Sequence, residues 1–446
     1  MTRPAVVPRD QHSLSRSQID PDALKVLYRL HQQEHVSYLV GGSVRDLLLG
    51  RRPKDYDIGT SAQPHQVKRL FRNCWIIGRR FRLAHVRFGD KTIEVATFRR
   101  QLTPAERVEA EAKAAAEAAE AAAAPRVEGE RRRRRPPVAP DNTYGTPEQD
   151  AFRRDFTVNA LFYDIGTFSI IDYTGGLRDL QDKVIRCIGD PEERFEEDPV
   201  RMWRAVVMAA RLGFRIDPPI DAALATHRGL LARAAPARLI EEFYKLLRTG
   251  SAEDAFRMMS ERKLLEPLSP ELQTGATDRL WHSLAALDSY RRLSADAPPA
   301  LTNPILLGSL LVPLEHSVLT TRPAPVREGE LLREPPLMLG MLPLARRDVE
   351  RLRHLLALQR RMLDPDLSPR TQRGLLHRAA FPDALTWLEV HGDDPEALER
   401  WQTLAAGATP PTVDEAAAGA EVGDQPRRRR RRRRRGRRRP AGQTTP

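Results

Sequence analysis

Two carboxylates one residue apart, Asp55 and Asp57, are the residues of this chain best suited to chemistry. On an extended strand, side chains at i and i+2 point to one face. Two carboxylates side by side repel unless a cation stands between them. Hard divalent cations take such oxygen ligands and let substrate phosphates complete the shell. A pair of metals held this way can activate a hydroxyl and stabilise a leaving pyrophosphate. An isolated Asp-x-Asp is more often an acidic surface loop. Here it follows a β-rich run, His35–Val40, and the turn Gly41-Gly42-Ser43, which opens a helical stretch from Val44 to Leu49. Glycine lets the backbone approach an anion, and the free N–H groups at a helix start face it.

Three further groups could complete such a site. Phe81–Phe88 and Lys91–Phe98 read as two antiparallel strands joined by Gly89-Asp90. Glu94 interrupts the apolar run of the second strand, where a carboxylate is costly unless paired, and is a candidate third acidic ligand. Arg153-Arg154-Asp155 sets two cations beside a carboxylate, and Asn159 shares the face of Asp155 if the segment is helical. Glu197-Asp198-Pro199-Val200-Arg201 reads as a helix start, with Pro at the first helical position. Asp198 and Arg201 are then either a surface pair or a base reader. A carboxylate accepts from the exocyclic amine of adenine or cytosine, and a guanidinium donates to the neighbouring ring nitrogen. Uracil and guanine present the reverse order. Arg204, one turn on, is a candidate triphosphate contact. The lone residues Trp203, Trp281, Trp387, His85 and His377 read as structural.

The elements that must position these groups follow from the rest of the chain. Its 446 residues are 41% hydrophobic and 30% charged, enough for two to four domains with a sizeable core. Residues 1–20 read as a flexible leader. From Pro21 to about Arg100 helix and strand alternate. Residues 105–140 read as a low-complexity insert, first Ala/Glu-rich and then an Arg run between prolines. From Pro191 onward Leu, Ala and Arg recur at helical spacing, as in Pro236–Thr249, Asp348–Leu363 and Thr371–Val390. Residues 409–446 read as a disordered Arg-rich tail.

Net charge is +13, yet five charges come from Arg131–Arg135 and twelve from Arg427–Arg435 and Arg437–Arg439. Subtracting these seventeen leaves −4, so the folded part is close to neutral. Such tracts are often nucleic-acid-binding arms, which gain affinity from counterion release. The two cysteines, Cys74 and Cys187, imply neither a disulfide framework nor a metal cluster. No apolar run approaches the roughly 18 residues of a membrane span, and the first thirty residues carry no signal-peptide core. A cytoplasmic location is expected.

Taken in order, these segments resemble a known family. Gly41-Gly42-Ser43-Val44-Arg45-Asp46-Leu47-Leu48-Leu49-Gly50 with Asp55-Tyr56-Asp57 resembles the head motif of the class II polymerase β-like nucleotidyltransferases, the CCA-adding enzymes and bacterial poly(A) polymerases. Arg153–Leu161, Gly175-Gly176-Leu177-Arg178-Asp179-Leu180 and Glu197–Arg201 resemble its next three motifs, and Arg238 with Glu242 a degenerate fifth. The resemblance covers about residues 36–265. It implies an α+β fold: a nucleotidyltransferase head over 21–186 with a small mixed or antiparallel sheet, a helical RNA-binding neck over 187–265, and a helical body over 266–408.

It also implies roles. Asp55 and Asp57 would be catalytic carboxylates holding Mg²⁺ or Mn²⁺, with Glu94 as a further ligand. Asp155 would be the third catalytic carboxylate or a ribose contact. Gly41, Gly42, Ser43, Arg45, Arg154, Asn159, Asp198, Arg201 and Arg204 would bind the nucleotide, and the glycines at Gly175-Gly176 would allow motion between head and neck. Ile77–Val86, Tyr144–Phe152 and the Arg-rich tail are similar to poly(A) polymerase rather than to CCA addition. The resemblance therefore implies transfer of AMP from ATP to RNA 3′-ends, marking RNAs for decay, with decay factors as further partners. CCA addition is the alternative within the family, and an inactive RNA-binding protein is the alternative outside enzymes.

Overall fold

The structure, a computed structural model, describes residues 3–78, 82–101, 106, 112, 143–293, 301–319 and 336–407. The Arg-rich tail, all but two residues of the insert at 105–140, and Arg79–Phe81 lie outside the described residues. The chain divides into two compact units, one through Arg346 and one from Arg347.

The first unit is built on a mixed eight-stranded sheet in the order β1-β8-β7-β2-β3-β6-β5-β4. Its strands are β1 (Ala5–Val7), β2 (Ser37–Val40), β3 (Asp57–Thr60), β4 (Cys74–Ile77), β5 (Leu83–Phe88), β6 (Lys91–Thr97), β7 (Leu161–Asp164) and β8 (Ile170–Asp172). Only β3 and β6 pair in parallel; the other neighbours are antiparallel. The hairpin expected at Gly89-Asp90 is present, with Phe88 opposite Lys91 and Gly89 at φ +57. Helix α1 (Pro21–Gln32) starts where Asp20 accepts from the Asp22 N–H and Pro21 takes the first helical position. It buries Ala23, Val26, Leu27 and Leu30, the three-to-four spacing of a single apolar face. Helices α1 and α3 (Pro64–Leu70) pack on the sheet, where Ile58, Val95 and Ala84 lie in one buried register.

The structure departs from the sequence reading in three places. Residues expected as a loose leader are built into the head: β1 adds to the sheet edge on β8, and Leu14 and Ile19 are buried. The edge that β1 joins is supplied by β8, more than 160 residues on, which no local pattern reveals. The division expected at 265/266 falls inside packed helices. Trp203 stacks on Phe243 with ring centroids 4.2 Å apart and meets Phe256 edge-on, and the helix Ala252–Glu261 packs on both Val200–Leu212 and Asp278–Leu293. Finally, the stretch Thr371–Val390 is two helices, Pro369–Leu376 and Phe381–His391. Pro382 can stand only in the first turn of a helix, so the segment breaks before it.

The second unit holds these helices with Arg346–Met362 and Pro395–Ala406. Its core includes Leu352, Leu355, Leu388 and a fully buried Trp401, whose indole N–H donates to the Met362 carbonyl. Trp203, Trp281 and Trp387 are buried, as expected of core residues. No helix among the described residues is long and apolar enough to cross a membrane.

Candidate active site

The sheet register assembles the acidic groups. Asp57, the first residue of β3, stands directly beside Glu94 of β6, and Glu94 stands opposite His85 of β5. Paired residues on neighbouring strands share a face about 5 Å apart. Asp57, Glu94 and His85 therefore form a row, with the His85 Nε2 3.7 Å from Glu94 Oε1. His85, read from sequence as structural, stands beside the site; the signal lay in strand pairing, which spacing does not show. Asp55 precedes β3 rather than lying on it, so the two aspartates are not a simple i, i+2 pair of one strand. They nevertheless feel each other. Desolvation first, then the charges of Glu94 and Asp55, push the Asp57 carboxyl up from its ordinary 3.8 to about 6, while Arg154 opposes the shift.

A second group of residues surrounds the glycine turn. Gly41 has φ +73, and a Cβ there would stand 2.8 Å from Arg154 Nη1, so glycine admits the guanidinium against the turn. Arg154 is aimed by Asp150, four residues back on Pro147–Arg153, at 3.1 Å, and by the Asn159 carbonyl at 3.1 Å. The i, i+4 spacing of Asp150 and Arg154 was visible in the sequence and passed over. On α2 (Gly42–Leu48), Arg45 is almost fully buried, bonded to Asp46 at 2.8 Å and to the Asn159 side-chain oxygen. Arg211, from the helix Val200–Leu212, reaches the other Asp46 oxygen at 3.0 Å. Ser43 donates its hydroxyl proton to the Val40 carbonyl at 2.9 Å, so that proton is already committed.

Asp155 is placed with this second group rather than with Asp57. It is buried, accepts from the Phe156 N–H at 2.9 Å and from Asn159 Nδ2 at 3.4 Å, and pairs with Arg204 at 2.6 Å. The segment is not a continuous helix: Pro147–Arg153 stops, and Thr157–Asn159 is one 3₁₀ turn, which still brings Asn159 back onto Asp155. Asp198 and Arg201 do not pair. Both Asp198 oxygens take Arg238, at 2.9 and 2.8 Å, while Arg201 bonds the Arg194 carbonyl and Glu197. Gly176 is demanded by a close approach rather than by motion, since a Cβ there would lie 2.2 Å from the Thr157 carbonyl oxygen. Asp172 fixes this turn by accepting from the N–H groups of Thr174, Gly175, Gly176 and Leu177.

Among the described residues no three His, Cys, Asp or Glu side chains converge into a complete metal cage. The donor set still fits a magnesium-type ion, which uses one or two carboxylates and fills its shell with water and phosphate oxygens. Beyond desolvation, the charges of Glu94 and Asp55 that help raise Asp57 are the repulsion such a cation relieves.

Known proteins are similar to this chain. Residues 37–186 match the model of the poly A polymerase head domain, and residues 213–275 that of the probable RNA and SrmB-binding site of polymerase A. Poly(A) polymerase I of Salmonella typhi is 46% identical over 267 residues, 60% of this chain and 54% of that protein. The Haemophilus influenzae protein of the same name is 40% identical over 275 residues, 61% of this chain and 57% of that one. A CCA-adding enzyme of Bacillus subtilis is 35% identical over 246 residues, 55% of each chain. The chain thus spans about half the length of the curated relatives it matches. The crystal structure of the Bacillus stearothermophilus CCA-adding enzyme in complex with CTP superposes with a TM-score of 0.55 at 25% identity, covering 87% of this chain and 83% of that one. The ordered motifs, the head sheet and these likenesses agree: residues 37–186 carry a head domain similar to that of the class II nucleotidyltransferases, the poly(A) polymerases and CCA-adding enzymes.

Proposed function

We propose that this protein is a polynucleotide adenylyltransferase that adds AMP from ATP to RNA 3′-ends without a template, releasing pyrophosphate. One observation carries the reading: an acidic row, Asp57 and Glu94 with Asp55 beside it, next to a cationic group, Arg154, Arg45 and Arg204, at a glycine turn. The first suits metal ions and a hydroxyl nucleophile, and the second suits a triphosphate. The choice of ATP over CTP rests on identity, which is higher to poly(A) polymerases than to CCA-adding enzymes.

In this reading Asp55 and Asp57, with Glu94 beside them, hold Mg²⁺ or Mn²⁺. The bound ions supply charge neutralisation at the reacting phosphate. Arg154 and Arg204 bind and orient the triphosphate, and Asp155 positions Arg204. The RNA 3′-oxygen forms a bond to the α-phosphorus while the bond to the β-phosphate oxygen breaks, and the hydroxyl proton passes to the carboxylate row. Catalysis is positioning plus electrostatics, so no Ser or His nucleophile is required. Asp198 accepts from the adenine amine and Arg201 donates to the adjacent ring nitrogen, with Arg238 holding Asp198 in place. RNA decay in the cytoplasm is the setting we favour.

The test offers generic RNA and each nucleoside triphosphate singly. Long tails from ATP alone are expected. Restoration of CCA to a trimmed tRNA, stopping there, overturns the reading in favour of the CCA enzyme. Unchanged cellular tailing by an Asp55→Ala variant would make the protein an RNA binder with an idle head.

A further inference from the structure

Two helices that carry opposite parts of the candidate site end against each other. Helix α2 starts at the glycine turn, holds Arg45 and delivers the chain to the aspartate loop. The helix Val200–Leu212 carries Arg201 and Arg204 in its first two turns. Both finish in the same glycine-closed form. Gly50, at φ +68, donates to the Leu47 carbonyl at 3.0 Å, and the Arg51 N–H to that of Asp46 at 2.8 Å. Gly213, at φ +71, donates to the Ala210 carbonyl at 3.3 Å, and the Phe214 N–H to that of Ala209 at 3.0 Å. Such an end needs a left-handed residue, which glycine supplies, and it fixes the backbone of the residue that follows.

Arg51, the residue after the first glycine, spans the gap between the two ends. Its guanidinium donates to the Arg211 carbonyl at 3.1 Å and to the Leu212 carbonyl at 3.4 Å. These last-turn carbonyls are left open by the glycine closure and lie at the negative end of the helix dipole. Arg211 returns the contact, its side chain reaching Asp46 in the last turn of α2 at 3.0 Å. Asp46 is buried with its other oxygen on Arg45, so it is a fixed anchor. Along the helix between Arg204 and Arg211 the packing is open. A space of about 170 Å³ is lined there by Arg45, Arg204, Val207, Met208 and Arg211. The helix is therefore spaced from the glycine turn chiefly by polar contacts at its two ends, Arg204 on Asp155 at one and the arginine pair at the other.

We propose that Arg51 and Arg211 are positioning residues for nucleotide selection: their reciprocal lock holds the helix Val200–Leu212 at the angle that brings Arg201 to the base and Arg204 to the triphosphate. The proposal deepens the adenylyltransferase reading and rests on it. Arg201 lies ten residues before Arg211. That is about 15 Å along the helix at about 1.5 Å per residue. With the lock released, a pivot of about 5° moves Arg201 by about 1.3 Å, and a misplacement of about 1 Å can cost on the order of a hundredfold in rate. Guanine is a purine like adenine but presents the reverse donor and acceptor order to Asp198 and Arg201. The ratio of ATP to GTP affinity therefore reads where that pair stands.

The test uses the full chain, with ATP and GTP each competed against a fluorescent ATP analogue, and with oligo(A) extended by ATP. Arg51→Ala and Arg211→Ala should each lower affinity for ATP at least about fivefold and leave that for GTP within about twofold, so that the preference narrows, while kcat/KM for ATP falls at least about tenfold. Arg51→Lys and Arg211→Lys keep a donor and a charge at the same contacts and should recover most of the ratio. Both side chains are exposed, and circular dichroism checks that the variants fold. Equal losses for ATP and GTP make the pair merely structural and overturn the proposal, as does a ratio unchanged in both alanine variants. A parent that binds ATP no better than GTP and extends no RNA is a different result, which sinks the adenylyltransferase reading and the lock with it.

Discussion

Replacing Asp57 by Asn should make the metal-free protein more stable while abolishing its chemistry. The Asp57 carboxyl stands at about 6 instead of 3.8, through desolvation, Glu94 and Asp55. A group with a raised pKa gives stability that is full below the unfolded value and is lost as pH rises through the folded one. The ionised carboxylate is thus a penalty above pH 6 that vanishes below 3.8. A shift of this size corresponds to about 3 kcal/mol at 1.36 kcal/mol per unit. Asp57 sits among packed neighbours that desolvate it, yet keeps more than about a third of its surface open to water, so solvent screening reduces the figure to about 1 kcal/mol. That is a rise in Tm of about 2 °C for a unit of this size. The assay is thermal unfolding in EDTA from pH 4 to pH 8. The variant should melt higher at pH 8, and the gap should close as pH falls towards 4. Mg²⁺ should then raise the Tm of the parent and leave the variant unmoved. A variant no more stable than the parent at pH 8, or a gap that ignores pH, would refute the raised Asp57 carboxyl on which the reasoning rests.

Other perturbations probe the remaining contacts. Gly41→Ala forces a side chain into a glycine-only conformation, costing about 1–3 kcal/mol, and displaces Arg154, so kcat/KM for ATP should fall at least tenfold. Asp155→Asn and Arg204→Ala should each weaken ATP use, and their double variant should be little worse than either, as a double-mutant cycle of kcat/KM would show. Arg238→Ala frees Asp198 from its bidentate partner and should narrow the preference for ATP over CTP, read in competition assays. Deleting residues 426–446 removes twelve arginines and should flatten the salt dependence of RNA binding while leaving ATP binding nearly intact; an unchanged slope would exclude the tail as an RNA arm.

Local chemistry was legible in the sequence. The turn at Gly41 and the Gly89-Asp90 hairpin each depend on a few adjacent residues, and the structure has both. The ordered motifs from Gly41 to Arg201 were legible too, since each is a local segment of adjacent residues. The break at Pro382 was equally legible and was missed because the apolar spacing on either side of it runs on.

Which of these residues meet was decided by tertiary structure alone. Glu94 stands beside Asp57 because β6 pairs in parallel with β3 across an intervening helix and two strands, and no spacing encodes that register. Asp155 was the stronger candidate by motif to join the aspartates, yet the 3₁₀ turn and Arg204 hold it with Asn159. Spacing offered Arg201, three residues away, as a possible surface partner of Asp198, and the one it takes is Arg238, forty residues on. Residues 3–20, unremarkable as a sequence, gain a strand because β8, more than 160 residues on, supplies the edge it joins. Propensity and turn chemistry act over a few residues, so sequence fixes the pieces. Pairing of strands and charges depends on burial that exists only once the chain has folded.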